Sequence, residues 1–316
     1  MTRRPLTLDA LASGGKKALA DALAAIETRA GDPALIALLD AAAAAPRGMV
    51  VGLTGPPGVG KSTLTDALLR LWRGRGETVG IIAVDPSSLR SGGALLGDRA
   101  RIAVDPEDRG VFIRSMAARD RLGGVSDQTV AALALMRALF DHVVIETVGV
   151  GQSEADIAHL ADTVLLCVQP GSGDSLQFMK AGVMELPDVV AVTKADIGAP
   201  ATRARADVEG ALTLYERAPD AWRPRVALVS AQASSGLDEL RAALEAHRAH
   251  LSGAGRLARR RAAQHRQWVE QAIRARFGLE GLAAARRLTI ADEAAGPFAQ
   301  ADRAARILAR RLAQEP

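Results

Sequence analysis

The chain has 316 residues, of which 48% are hydrophobic, 24% charged and only 3% aromatic. That balance fits a globular protein whose core is built from Ala, Leu, Val and Ile; no apolar run approaches the roughly 18 residues of a membrane-spanning helix, so no membrane partner is expected. The net charge of +4 is uneven, with 13 arginines against 6 acidic residues from Arg256 onward, a local balance of +7 against −3 for the rest, but those arginines alternate with Ala and Leu at helical spacing and read as solvated helix faces, not as a nucleic-acid stripe.

Met1 to Thr7 carries Arg3 and Arg4 with no apolar stretch or cleavage site behind them, so no signal peptide is expected. Residues 7 to 46 read as helices, with Leu19, Leu23 and Ile26 on one face and Leu35, Leu38 and Leu39 on another. From Met49 the pattern changes to short apolar runs: Met49–Leu53, Val79–Val84, Val111–Ile113, Val143–Ile145, Val164–Val168, Val189–Val192 and Val226–Val229. Helical stretches such as Lys61–Trp72 and Val130–Phe140 stand between them. Strands without alternation are buried on both faces, so the expected fold is α/β, a mostly parallel sheet covered by helices on both sides. A helix at Leu237–Leu251 leads to Ser252-Gly253-Ala254-Gly255, and helices at 256–277, 280–288 and 297–313 follow, the last opening on Pro297. The expected division is an N-terminal helical extension (1–47), a central α/β domain (48–251) and a C-terminal helical region (252–316). The lone cysteine, Cys167, lies in an apolar run. It can form no intramolecular disulfide and is expected as a buried thiol in a cytoplasmic protein.

The strongest motif is Gly55-Pro56-Pro57-Gly58-Val59-Gly60-Lys61-Ser62, set between an apolar strand and a helix. That is the context of a phosphate-binding loop. Glycines let the backbone wrap the phosphates, with N–H groups from Gly58 to Thr63 pointing inward and the helix N-terminus adding partial positive charge. Lys61 is expected on the β- and γ-phosphates and Ser62 on Mg²⁺.

His142 to Gly149 is an apolar strand ending in Glu146. A carboxylate there supports Mg²⁺ in P-loop enzymes, and Gly149 can bring its N–H to the γ-phosphate. The commoner arrangement has Asp where this chain has Glu146, and the longer arm suggests action through a water. Asp85, within Val84-Asp85-Pro86, ends the strand after the P-loop helix, where open α/β sheets bind ligands. Asp98, within Gly97-Asp98-Arg99, follows in a glycine-rich stretch that reads as a switch.

Thr193-Lys194-Ala195-Asp196 follows another apolar strand and fits the Asn/Thr-Lys-x-Asp motif that reads guanine. Asp196 can accept from guanine N1–H and the exocyclic amine, whereas adenine would leave it unpaired. The stem of Lys194 should lie over the base or hold the P-loop. Ser230-Ala231-Gln232, after the strand Val226–Val229, fits the loop whose Ala N–H meets guanine O6. The residues together point to a P-loop GTPase.

Further motifs occur in order: Val84-Asp85-Pro86-Ser87-Ser88, Gly97-Asp98-Arg99, Phe112 to Met116, Leu122-Gly123-Gly124, Glu146 to Glu154, Gln169-Pro170-Gly171, Gly173-Asp174, Lys180-Ala181-Gly182, Met184-Glu185-Leu186 and Lys194-Ala195-Asp196. Over roughly residues 15 to 280 the chain resembles the MeaB/ArgK family, GTPases associated with methylmalonyl-CoA mutase; the run Glu146 to Glu154 is the most specific part. The resemblance implies a G-protein chaperone that gates cofactor loading and protects an adenosylcobalamin-dependent acyl-CoA mutase. It implies GTP or GDP and Mg²⁺ as ligands, and a homodimer made through C-terminal helices. By motif match Lys61 and Ser62 contact phosphate and Mg²⁺. Asp85, Asp98 and Glu146 are the metal and hydrolysis carboxylates, and Asp196 reads guanine. Thr193 departs from the Asn of many members.

Two other readings compete. A nickel-insertion GTPase needs a His or Cys cluster, but His142, His159, His247, His250 and His265 include no third ligand beside His247 and His250, which share a helix face and read as surface residues. A kinase acting on transport proteins, an older label for the family, needs an acceptor-activating Asp that is not evident. In the tail, Leu257, Trp268, Ile273 and Phe277 form an apolar stripe on an arginine-rich helix, which is expected to need a partner. Ser87–Arg99, Val148–Glu154 and Gln169–Lys180 are the expected mobile segments.

Overall fold

The computed structural model describes residues 6–86, 105–118, 126–147, 157–171, 183–215, 218, 220–287 and 295–312. The chain opens on α1 (Leu8–Thr28) and α2 (Pro33–Ala44). Thr7 caps the first, its hydroxyl accepting from Ala10 N–H at 3.2 Å. Asp32 caps the second, accepting from Ala34 N–H at 2.9 Å, with Pro33 supplying a preset φ in the first turn.

Among the described residues seven strands follow: β1 (Met49–Thr54), β2 (Val79–Pro86), β3 (Val111–Ala118), β4 (His142–Thr147), β5 (Thr163–Val168), β6 (Val189–Val192) and β7 (Arg225–Leu228). They form one sheet in the order β3-β2-β4-β1-β5-β6-β7, and every pairing is parallel. The helices among and after them are α3 (Lys61–Arg73), α4 (Asp127–Leu139), α5 (Ala199–Thr213), α6 (Leu237–Ser252), α7 (Arg256–Arg287) and α8 (Pro297–Leu312). Gly278, at φ 70° and ψ −169°, breaks α7 into the two pieces that the sequence leads one to expect.

The described residues gather into two compact units: Met49–Ser126 with Phe140–Leu257, and Met1–Gly48 with Asp127–Leu139 and Ala258–Pro316. The first holds the sheet. Alternate strand residues Val51, Leu53, Val79, Ile81, Val144, Leu165 and Val189 pack one face against Leu64, Leu68 and Trp72 of α3 and Leu240 and Leu244 of α6. The opposite set, Leu166, Val168, Val190, Val192 and Val226, packs against Ala201 and Val208 of α5. At roughly 1.5–3 kcal/mol per fully buried aliphatic side chain, these two layers fix which face each strand residue turns to which helix.

The second unit is helical. α2 packs against α1, α4 and α8. Asp40 of α2 caps α8 across space, accepting from Phe298 N–H at 2.9 Å and Ala299 N–H at 3.0 Å. Burial is the leading influence on its carboxyl and pushes its pKa up, against those two amides. Trp268 packs on Phe298 with ring centroids 4.7 Å apart and donates to Asp127 Oδ1 at 3.1 Å. Ile273 is buried with Ala285, Ala304 and Leu308, and Phe277 packs against that cluster. The tail's apolar stripe is therefore covered largely within its own chain, which corrects the reason for expecting a second copy there. Leu279 and Leu312 remain 66% and 60% exposed. No helix among the described residues is long and apolar enough to cross a membrane.

Candidate functional site

β1 lies at the centre of the sheet, between β4 and β5. The chain after β1 goes out to one side of the sheet, and the chain after β4 to the other. The carboxyl ends of these strands are thus a topological switch point. The loop from Gly55 to Gly60 emerges there, and α3 begins at Lys61. Gly55 has φ 142°, and a Cβ on it would lie 2.4 Å from the carbonyl oxygen of Cys167, so only glycine fits. Gly60, at φ 99°, is the helix N-cap and makes no side-chain cap bond, and α3 has no acidic residue in its first turn. That end of α3 keeps its dipole for an anion.

Lys61 is buried, and its ammonium donates to the carbonyls of Gly55 at 2.7 Å and Pro56 at 3.1 Å. Ser62 donates from Oγ to Glu146 Oε1 at 2.9 Å, and Thr65 donates from Oγ1 to Glu146 Oε2 at 3.1 Å. Glu146 is 5% exposed. The β4–β1 register, with Glu146 beside Leu53, sets it next to the strand that enters the loop. A hydroxyl and a carboxylate are hard oxygen donors, the set that suits Mg²⁺. Thr65 was not signalled by any motif, although its spacing of three from Ser62 puts both on one helix face.

Thr193, Lys194 and Asp196 stand at the end of β6. Thr193 is buried, and its hydroxyl reaches Val59 O at 2.7 Å and Val168 O at 3.1 Å. Lys194, in a left-handed conformation at φ 54°, donates to Gly58 O at 3.1 Å and Gln169 Oε1 at 2.6 Å. Of the two expected tasks for Lys194, holding the P-loop is the one seen. Gln169 appears in sequence only as part of a family motif, with no sign of this contact. Asp196 is exposed. A hydrogen bond from Ser230 is the leading cause that holds its carboxyl below the usual carboxylate range. Ser230 itself is 1% exposed, pairs reciprocally with Ser235 across a tight loop, and accepts from Ala233 N–H at 3.1 Å. Ala195 N–H donates to Val229 O at 3.1 Å and joins the two loops. Ala231 is half-buried and Gln232 exposed at the outer part of this loop.

Cys167 lies beneath Gly55, fully buried, its thiol pushed up to about 12; burial is the main cause, Glu146 adds to it and Lys61 opposes it. Asp85 stands at the carboxyl end of β2, its backbone beside Ala117. Asp98 and Gly149 lie outside the described residues, as do Ser87–Arg99, Val148–Glu154 and most of Gln169–Lys180. His247 and His250 stack with ring centroids 6.3 Å apart, but among the described residues no third ligand completes a metal-binding group with them. His142 stacks on Trp72 at 4.3 Å and bonds Glu77 at 3.1 Å; burial is the main cause of its lowered pKa. His247, expected at the surface, is 1% exposed, with Nδ1 2.8 Å from Thr163 Oγ1 and Nε2 3.4 Å from Asp188 Oδ1. It is occupied as a core residue because α6 turns that face onto the sheet.

A parallel sheet with a Lys-Ser phosphate loop at its switch point and a Thr-Lys-x-Asp loop beside it defines a P-loop GTPase. The family model described as Methylmalonyl Co-A mutase-associated GTPase MeaB matches residues 19–284. The chain belongs to that family and is a GTPase. It is 44% identical to a putative GTPase of Pyrococcus abyssi over 227 residues, 71% of this chain and 69% of that one. It is 39% identical to the mouse protein named methylmalonic aciduria type A homolog, mitochondrial, over 222 residues, 69% of this chain and 54% of that one. A crystal structure of a protein named LAO/AO transport system kinase superposes with a TM-score of 0.68 at 28% identity, covering 99% of both chains.

Proposed function

We propose that this GTPase is a chaperone for an adenosylcobalamin-dependent acyl-CoA mutase, with methylmalonyl-CoA mutase as the client. It would gate cofactor loading and protect the mutase from inactivation. The observation that carries the proposal is the family match over residues 19–284, whose description associates the GTPase with that mutase. A relative named for methylmalonic aciduria supports the same reading.

In this account GTP lies along the switch point. The P-loop from Gly55 to Thr63 wraps the phosphates, and Lys61 exchanges the carbonyls of Gly55 and Pro56 for phosphate oxygens. Ser62, Asp85 and Glu146 would hold Mg²⁺, which would offset negative charge on the phosphates. Asp98 and Glu146 are assigned to hydrolysis and the Gly149 N–H to the γ-phosphate. Asp196, held by Ser230, reads the guanine edge; Thr193 and Lys194 fix the reader to the P-loop, and Ala231 and Gln232 border the base. Water attacks the γ-phosphorus, the bond to the bridging oxygen breaks, and GDP and phosphate leave. The protein acts in the cytoplasm as a homodimer through its C-terminal helices, where Leu279 and Leu312 offer exposed apolar surface.

The test is mutase affinity in different nucleotide states, by calorimetry with purified methylmalonyl-CoA mutase. The expected result is binding that differs between GDP and a non-hydrolysable GTP analogue, because a switch must bind its partner unequally in its two states. No binding in either state would end the chaperone reading. A kinase acting on transport proteins is favoured only by the name of the structural relative. Labelled protein, in place of free phosphate, from γ-labelled GTP would revive it.

A further inference from the structure

We propose that Thr65 is a positioning residue for Mg²⁺-dependent GTP hydrolysis, acting through Glu146. The inference rests on the assignment of Ser62 and Glu146 to the metal. Its starting point is that both oxygens of one carboxylate are engaged by hydroxyls of one helix: Ser62 on Oε1 at 2.9 Å and Thr65 on Oε2 at 3.1 Å. Thr65 is 0% exposed and Glu146 5% exposed, so water does not readily replace the bond.

The chemistry of the two hydroxyls gives them different tasks. A hydroxyl carries one donor and two acceptor lone pairs. Ser62 can keep its proton on Oε1 while its lone pairs meet a cation. Thr65 lies one helical turn deeper, where its oxygen serves the carboxylate alone. It turns Oε2 into α3 and so fixes the torsion that aims Oε1. Glu146 has one more rotatable bond than the Asp commonly found there, and that freedom must be removed for the carboxylate to present one face. The geometry accounts for a glutamate working here: it is tied at both oxygens. Mg²⁺ demands near-ideal geometry, so a loosened carboxylate should weaken it.

The experiment uses the full chain with fluorescent GDP and titrates Mg²⁺ against nucleotide release. Thr65→Val keeps the volume and removes the donor. The expected result is about a tenfold rise in the Mg²⁺ concentration needed to slow release, the scale of one hydrogen bond to a charged group. kcat should fall by a similar factor with KM for GTP nearly unchanged. GDP affinity in EDTA should stay as in the wild type, which separates positioning from damage to the fold. Thr65→Ser, which restores the hydroxyl, should recover most of the Mg²⁺ response. Ser62→Ala is run alongside. If Ser62→Ala shifts the Mg²⁺ response and Thr65→Val does not, the role of Thr65 is wrong while the metal assignment stands. If neither shifts it, both fall.

Discussion

The hydroxyl of Thr193 ties the end of β6 to the phosphate loop, 2.7 Å from the carbonyl oxygen of Val59 and 3.1 Å from that of Val168. A site that reads a base at one end and holds phosphates at the other needs its ends at fixed separation, and among the described residues Thr193 is one of two side chains that bridge them. The second is Lys194, through Gly58 O. Asn, common in the family at this position, offers an amide for the same purpose; here a shorter hydroxyl serves, buried at the β5–β6 seam. Thr193→Val should therefore weaken GDP binding about tenfold, the loss of a buried hydrogen bond to the Val59 carbonyl, while Val168 O keeps the backbone N–H of residue 193 at 2.8 Å. Thr193→Asn should bind within a few-fold of the wild type. Equal affinity of the Val variant by calorimetry would remove Thr193 from the site.

In the proposed reading, base choice rests on Asp196. A hydrogen bond from Ser230 holds its carboxyl below the usual carboxylate range, and the ionised carboxylate can only accept hydrogen bonds. GDP should bind at least about a thousandfold better than ADP, since a site built on such bonds rejects a base that cannot meet them. Asp196→Asn should turn the preference toward xanthosine nucleotides, because an amide N–H can meet the oxygen that replaces the guanine amine. Comparable ADP and GDP affinities in the wild type would contradict the assignment.

Glu146→Gln keeps the volume at the proposed Mg²⁺ position and removes the charge. The amide can accept from only one of the two hydroxyls, Ser62 or Thr65, that now donate to the carboxylate. GTP hydrolysis should drop by roughly 10- to 100-fold while nucleotide binding survives, the usual scale for groups that orient a metal site. A wild-type rate of phosphate release in this variant would show that Glu146 has no part in turnover.

Cys167 should be silent to thiol reagents in the folded protein. Its thiol is pushed up to about 12 and it is fully buried beneath the loop. The thiolate is the reactive form, and its share at pH 8 is about one in ten thousand at that value. Reaction should appear only on unfolding in guanidinium, where the group returns to an ordinary pKa near 8.5. Labelling with an aromatic disulfide checks this; rapid colour at pH 8 without denaturant would mean that the site opens at Gly55.

Much of the architecture is legible because parallel strands buried on both faces read as unbroken apolar runs, and each of the seven described strands overlaps such a run. The second half of β3 does not, since Arg114 and Ser115 interrupt the run although β3 stays paired with β2 along its length. α5 escapes notice because its buried face is made of Ala201 and Val208, too small to form a visible stripe. The phosphate loop is legible because Lys61-Ser62 after the last glycine has no structural reason of its own. Thr65, Gln169 and His247 are not, because their tasks depend on residues 81, 25 and 84 positions away. Trp268 and Ile273 mark an apolar stripe correctly, but only the fold reveals that α8 covers it.

The most direct test of the account is phosphate release from GTP with and without purified methylmalonyl-CoA mutase. No glutamine stands immediately beside Glu146 to orient water; the nearest along the chain after it is Gln152. Turnover by the isolated protein should be slow, and the mutase should raise it at least about tenfold, a coupling of the usual size between two sites. A mutase that binds tightly yet leaves both turnover and GTP affinity unchanged would contradict the proposed link between nucleotide state and client.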